Sequence, residues 1–223
     1  MARTVVVTGA GGGIGPAVVG AFLADGWRVV APYFPAASRE RVPDGAEPIE
    51  ADLTDADALA RVVDLATSDG AAPLGALVNI VGGFAAGQPV IDTPLEAFEA
   101  QFALNVHPTY LVTQAALPVL VAAGGGAIVC FGSAAALEPW AGGSGYAASK
   151  AAVIAFARAV AKEHAGDGVR CNVVAPSMID TPANRAAMPD AIDRMVPPER
   201  IAAVVRFLCG DESAALNGVV LSV

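Results

Sequence analysis

Charge is scarce in this sequence. Of 223 residues only 16% are charged, and 13 Lys and Arg face 22 Asp and Glu, for a net charge of −9. With no Lys/Arg cluster the chain lacks the electrostatic footprint for a phosphate backbone or an anionic membrane surface, so neither nucleic acid nor membrane is an expected partner. Cysteine is equally sparse. Cys130, Cys171 and Cys209 lie far apart and are odd in number, which excludes a disulfide-stapled scaffold and points to small buried hydrophobes in a reducing compartment. No apolar run approaches the roughly 18 residues of a spanning helix. The strand-like run that begins at Arg3 leaves no room for a targeting peptide, so the cytoplasm is the expected location.

What the chain does have is apolar bulk, 55% of its residues, enough for one domain over 1–223 around its own core. Short β-branched runs alternate with longer Ala-rich segments of helical period, which is the pattern of βαβ units and a parallel sheet. Strands are expected at about 3–8, 27–31, 47–51, 74–81, 126–132, 168–174 and 218–222, and helices at about 14–25, 54–68, 94–122, 143–165 and 198–210. The fold class is therefore α/β, a doubly wound parallel sheet of about seven strands with helices on both faces. Thr93-Pro94-Leu95-Glu96 has the form of a capping box, and Thr54 with Asp57 looks similar. Pro108, inside the helix that Thr93 starts, predicts a bend near Asn105.

Thr8-Gly9-Ala10-Gly11-Gly12-Gly13-Ile14-Gly15-Pro16 joins the first strand to the first helix. Glycines allow a tight turn and let a pyrophosphate approach the backbone, where N–H groups at the helix start meet its charge. An acidic chain that binds an anionic cofactor must rely on such amides rather than on net charge.

The spacing Gly9-x3-Gly13-Ile14-Gly15 resembles the short-chain dehydrogenase/reductase family, and further motifs follow in order along the chain. Asp52-Leu53 resembles the family's adenine-contacting Asp and its neighbour. Asn79-Ile80-Val81-Gly82 stands in the place of its Asn-Asn-Ala-Gly, keeping Asn79 and Gly82. Tyr146-Ala147-Ala148-Ser149-Lys150 sets Tyr and Lys on one helical face. A nearby ammonium, aided by an oxidised nicotinamide, favours the phenolate, and moving a tyrosine from 10 to about 7 needs roughly 4 kcal/mol. Ser133, at the end of a strand and thirteen residues before Tyr146, can orient a substrate oxygen. Asn105 matches the family's Asn that distorts its helix and holds a water linked to the Lys. Pro176-Ser177-Met178-Ile179-Asp180-Thr181 resembles the Pro-Gly-x-x-x-Thr segment beside the nicotinamide, with Ser177 replacing Gly, and there Pro176, Ile179 and Thr181 would contact the cofactor. Gly132 stands where a second Ser is common and Cys130 where Asn is common.

The resemblance implies a Rossmann-type domain and an NAD(P)(H)-dependent oxidoreductase like the 3-oxoacyl-carrier-protein reductase and carbonyl reductase branch, with Asn105, Ser133, Tyr146 and Lys150 as its catalytic set. A reductase of a C=N bond and a catalytically silent nucleotide-binding regulator are the rivals. The acidic residue that NAD enzymes carry near Tyr33 is absent, while Ser38 and Arg39 could reach a 2′-phosphate, a lean toward NADP(H); Arg39 and Arg41 as solvated loop charges is the competing reading. Phe84, Trp140 and Met178, with Gln88, Leu137, Pro139, Met188 and Met195, would line an apolar pocket for a neutral carbonyl or alcohol. His107 and His164 lack partners at metal spacing, and no metal is assigned. Apolar helices around Asn105 and Tyr146 suggest a homo-oligomer, a dimer or, as is common in the family, a tetramer.

Overall fold

Every residue of Thr4-Val5-Val6-Val7-Thr8 is buried, as expected for a β-branched strand covered on both faces. This is β1 (Thr4–Thr8) of a computed structural model that describes residues 2–85 and 87–223. The other strands are β2 (Arg28–Tyr33), β3 (Glu47–Glu50), β4 (Leu74–Asn79), β5 (Gly126–Phe131), β6 (Val169–Ala175) and β7 (Val220–Ser222). All pair in parallel in the order β3-β2-β1-β4-β5-β6-β7. The chain builds outward from β1 to β3, then crosses back to β4 on the other side of β1. At that reversal the helices that follow β1 and β4 pack on opposite faces of the sheet, which places a crevice at its carboxyl edge.

Alternation along the strands divides the core in two. Val5 and Val7 join Phe22, Ala76, Val78, Val129, Ile201 and Leu208 beneath α1 (Gly15–Ala24) and α7 (Pro198–Cys209). Val6 joins Leu77, Leu120, Ile128, Val153 and Val160 beneath α2 (Ala56–Thr67), α4 (His107–Ala122) and α5 (Ser144–Glu163). The three cysteines are free and buried in these cores.

The helix expected over 94–122 is two helices, α3 (Leu95–Asn105) and α4, broken at Val106. Pro108 cannot donate to the carbonyl one turn back, and the chain restarts there instead of merely bending. Neither expected Thr cap forms. Pro94 stands at the start of α3 without a side-chain cap, while the Thr93 hydroxyl donates to the carbonyls of Gln88 and Pro89. At α2 the cap is Asp55, whose carboxylate accepts from the Ala58 N–H at 2.7 Å, and the Thr54 hydroxyl instead donates to Asp52. Beyond β6, a stretch not expected to be helical forms α6 (Pro182–Ala187) and a 3-10 turn (Pro189–Arg194), held to the fold by a parallel bridge between Ile179 and Val196.

These caps make an unambiguous prediction. Asp55→Ala is expected to cost about 1 kcal/mol in urea unfolding, the usual size of a lost N-cap, and Thr93→Ala less than half of that.

Candidate active site

The glycine turn lies at the switch point. Gly9 adopts a left-handed φ of 70°, and a Cβ there would sit 3.2 Å from the Val81 nitrogen, so the loops after β1 and β4 touch. A Cβ on Gly15 would run into the carbonyls of Gly9 and Ala10, and one on Gly13 would come within 2.8 Å of Thr181 Cγ2. Ile14 precedes α1 without capping it, so the first N–H groups of a ten-residue helix are left to a ligand. A backbone cradle of this kind fits a dinucleotide pyrophosphate. Across the turn, Gly11 lies against a 3-10 turn (Ala36–Arg41), where a Cβ would meet Ser38 O at 3.1 Å and Arg41 Cβ at 3.2 Å. Ser38 is buried, its hydroxyl donating to Pro35 O at 2.8 Å, whereas Arg39 and Arg41 are exposed and form no salt bridge among the described residues.

After β3, two hydrogen bonds from Thr54 hold the Asp52 carboxyl below its ordinary value and occupy Oδ1, leaving Oδ2 to accept from an adenine amine. Leu53 beside it is buried. Asn79 ends β4, donating to Thr113 Oγ1 at 2.9 Å and to Cys130 Sγ at 3.7 Å. The Thr8 hydroxyl accepts from the N–H groups of Ile80 and Val81, tying the ends of β1 and β4 together, a role the sequence reading missed.

Lys150 is the deepest charge in the site. Its Nζ donates to Phe131 O at the end of β5 at 2.9 Å, and burial pushes the ammonium down from 10.5 to about 8. A Cβ on Gly82 would lie 3.1 Å from that Nζ and 2.5 Å from Asn105 Oδ1, so only glycine fits between them. Asn105 is fully buried, accepts from the Gly83 N–H at 3.0 Å and donates to Ser149 Oγ at 3.2 Å. At Tyr146 burial raises the phenol above its ordinary value, with the Ser133 hydroxyl bond acting in the opposite sense. The Lys150 ammonium points to the Phe131 carbonyl instead, and desolvation decides the sign. Ser133 itself is buried and accepts from the Ala135 N–H.

On the opposite wall, Pro176 O accepts from the Ala134 N–H, which ties the end of β6 to the Ser133 loop. Thr181 Oγ1 accepts from the Asn184 N–H, so its O–H remains available as a donor. The Ile179 carbonyl accepts from the Thr181 N–H and the Asn184 amide, and the Ile179 N–H has no partner among the described residues, open to the oxygen of a carboxamide. The departures in sequence have physical reasons. No described non-glycine residue has a left-handed φ, so Ser177 is unstrained in place of Gly. At Gly132 a Cβ would meet Val173 Cγ1 at 2.9 Å, which excludes a second Ser.

Of the expected pocket residues, Phe84 and Trp140 meet Tyr146, with ring centroids 5.0 and 6.4 Å from it. Met178 lends its carbonyl to the Val196 N–H, and Met195 is buried. His164 closes α5 and pairs with Asp167 at 2.8 Å, while His107 is exposed at the start of α4.

A model described as short chain dehydrogenase matches residues 3–191. The chain belongs to the short-chain dehydrogenase family. The enzyme is 35% identical over 244 residues to 2-(R)-hydroxypropyl-CoM dehydrogenase of Xanthobacter autotrophicus, covering 99% of this chain and 96% of the relative. It is 32% identical to a 3-oxoacyl-[acyl-carrier-protein] reductase of Synechocystis, covering 96% of this chain and 92% of that one. Its fold matches the solved structure of a short-chain type dehydrogenase/reductase from Mycobacterium ulcerans with a TM-score of 0.90 and 28% identity over 99% of this chain and 88% of the other. As a member of this family the enzyme is an NAD(P)(H)-dependent oxidoreductase of alcohols and ketones.

The buried Lys150 supplies a test. Above pH 8 the folded enzyme releases a proton that the unfolded chain keeps to about 10.4, so between these values unfolding takes up a proton and stability rises with pH. Relative to Lys150→Met, which has no such group, the wild type is expected to gain about 1.5 kcal/mol between pH 8 and 9.5 in urea titrations, since the group is half deprotonated at the start of that range and the full slope is about 1.36 per unit.

Proposed function

We propose that the enzyme reduces the carbonyl of a neutral or apolar small molecule, with Tyr146 as the acid that protonates the developing alkoxide. One observation carries this reading: the half-buried Tyr146, with the Ser133 hydroxyl beside it, stands one helical turn before Lys150, whose buried ammonium is fixed on the Phe131 carbonyl. A phenol beside the carbonyl oxygen can donate its proton as the alkoxide develops. Ser133 orients the substrate oxygen toward that proton. Lys150, held on Phe131 O, places a positive charge behind the phenol and stabilises the phenolate left after transfer. Asn105 fixes the Gly83 loop and, through Ser149, the helix turn that carries Tyr146.

The nicotinamide, when bound, supplies the hydride. The residues that would hold its dinucleotide are Gly9, Gly13, Ile14 and Gly15 at the pyrophosphate, Asp52 and Leu53 at the adenine, Asn79 and Gly82 under the ribose, Lys150 on its hydroxyls, and Pro176, Ile179 and Thr181 at the carboxamide. NADP(H) is the preferred form. No acidic residue stands beside Tyr33 at the end of β2, and Arg41, beside Gly11, is better placed for a 2′-phosphate than Ser38, whose hydroxyl is already used. The enzyme acts as a homo-oligomer. An apolar groove between α4 and α5, lined by Tyr110, Leu117, Val121, Phe156 and Val160, supports burial against a second copy. Three buried free thiols suit a cytoplasmic home.

Tyr146→Phe is expected to lower kcat by at least about 10³-fold in a nicotinamide absorbance assay while cofactor titration by fluorescence is unchanged. Retained turnover would refute the role of Tyr146. Arg41→Ala is expected to raise the KM for NADPH about tenfold and leave that for NADH in place, the loss of one charge-assisted phosphate contact.

A further inference from the structure

Phe84, Trp140 and Tyr146 form a cluster of three rings. Phe84 stands edge to face on Tyr146, centroids 5.0 Å apart at 89°, and Trp140 lies 6.0 Å from Phe84 and 6.4 Å from Tyr146. These are separations of direct aromatic pairs, so no guest ring fits between them. The outer faces remain open: Phe84 is 62% exposed and Trp140 47%. Large rings left in water beside a reacting group are a ligand surface rather than core.

Both rings are held in place from behind. The peptides on either side of Phe84 are clamped by one face of α3, the Gly83 N–H by Asn105 Oδ1 at 3.0 Å and the Ala85 N–H by Gln101 Oε1 at 3.3 Å. Both clamping side chains are buried. Trp140 closes a turn through its carbonyl to the Gly143 N–H, and its indole lies flat enough on Gly143 that a Cβ there would come within 3.0 Å of Cε2. The two loops are tied by the Gly87 N–H to the Gly142 carbonyl at 3.0 Å. Ring exposure is thus built in by buried polar bonds.

We infer that Phe84 and Trp140 form the platform for a flat, uncharged aromatic group carried on the substrate's carbonyl carbon, and that Gln101 is the positioning residue for this platform. The inference rests on the reading of Tyr146 as the acid for a carbonyl. Stacking on an exposed ring face rewards a planar guest beyond its buried area. Leu104, seated on Gly83, and Leu137, after Ser133, extend the surface with apolar contacts. The charge nearest in sequence to Trp140 is Glu138, exposed, and in the segment after β6 Arg185 is already paired with Asp180. Beside the rings themselves an anionic substituent therefore meets the like charge of Glu138, while Arg194, exposed at the end of the 3-10 turn after β6, forms no ion pair among the described residues.

The test compares kcat/KM for acetophenone, cyclohexyl methyl ketone, 2-butanone and S-acetoacetyl-N-acetylcysteamine, with NADPH and with NADH. Wild type should favour acetophenone over its saturated analogue by about tenfold, the scale of a good aromatic contact. Phe84→Leu and Trp140→Leu, both at exposed positions and so little risk to folding, should each lower that ratio by about fivefold. Gln101→Leu should lower it through KM rather than kcat, and Gln101→Glu, which keeps the acceptor, should restore it. A ratio near one, a preference for the thioester, or Leu variants that leave the ratio unmoved would overturn the inference while the carbonyl reading stands. No turnover of any ketone, and no oxidation of the matching alcohols, would overturn both.

Discussion

A charge taken out of water has to be met by oriented oxygen, and at Lys150 that requirement organises the site around it. The carbonyl that meets the ammonium belongs to Phe131, at the last residue of β5, where strand pairing ends. For the ammonium to lie there, the loop after β4 must pass without a side chain, which is why Gly82 stands between Lys150 and Asn105. Asn105 reaches the same place only because α3 ends on it and α4 restarts two residues later. One buried cation thus links a strand end, a glycine and a helix break, elements far apart in the chain. Desolvation costs the ammonium part of its basicity, and that cost is accepted where the charge has work to do.

The same economy of charge explains how an acidic protein can accept an anionic cofactor. The cradle at the switch point is made of backbone: left-handed Gly9, crowded Gly15, and the uncapped start of α1. Amide dipoles do not alter net charge, so the −9 of the whole chain and a phosphate site coexist without conflict. Low surface charge and high apolar content follow from the parallel sheet, whose central strands are covered on both faces and need valine rather than lysine.

Much of this was legible before any coordinate. All seven strands lie close to the expected ranges; β1, β2 and β6 carry the β-branched runs that a covered central strand favours, whereas the edge strands β3 and β7 are only partly buried, and Pro108 signalled a bend near Asn105 that the structure makes a full break. The caps were misread. Thr93 and Asp55 are both competent N-caps, and the choice depends on which backbone groups the preceding loop leaves open: at Thr93 the hydroxyl is drawn back to Gln88 and Pro89. Gln101 and Thr8 were invisible for a related reason. Each bonds the backbone of a distant loop, and a side-chain-to-backbone bond leaves no residue pattern at the far end.

The sequence by itself determined the order of elements, the glycine turn and the residue types of the catalytic set, since those depend on local sterics and on spacings along one strand or helix. Tertiary structure alone decided the electrostatics and the shape of the pocket. The direction of the Tyr146 shift came from how much water its neighbours exclude, and the aromatic platform came from loops more than fifty residues apart that meet through Gly87 and Gly142. Desolvation and long-range contact are properties of what surrounds a residue in space, and the linear chain carries no record of them.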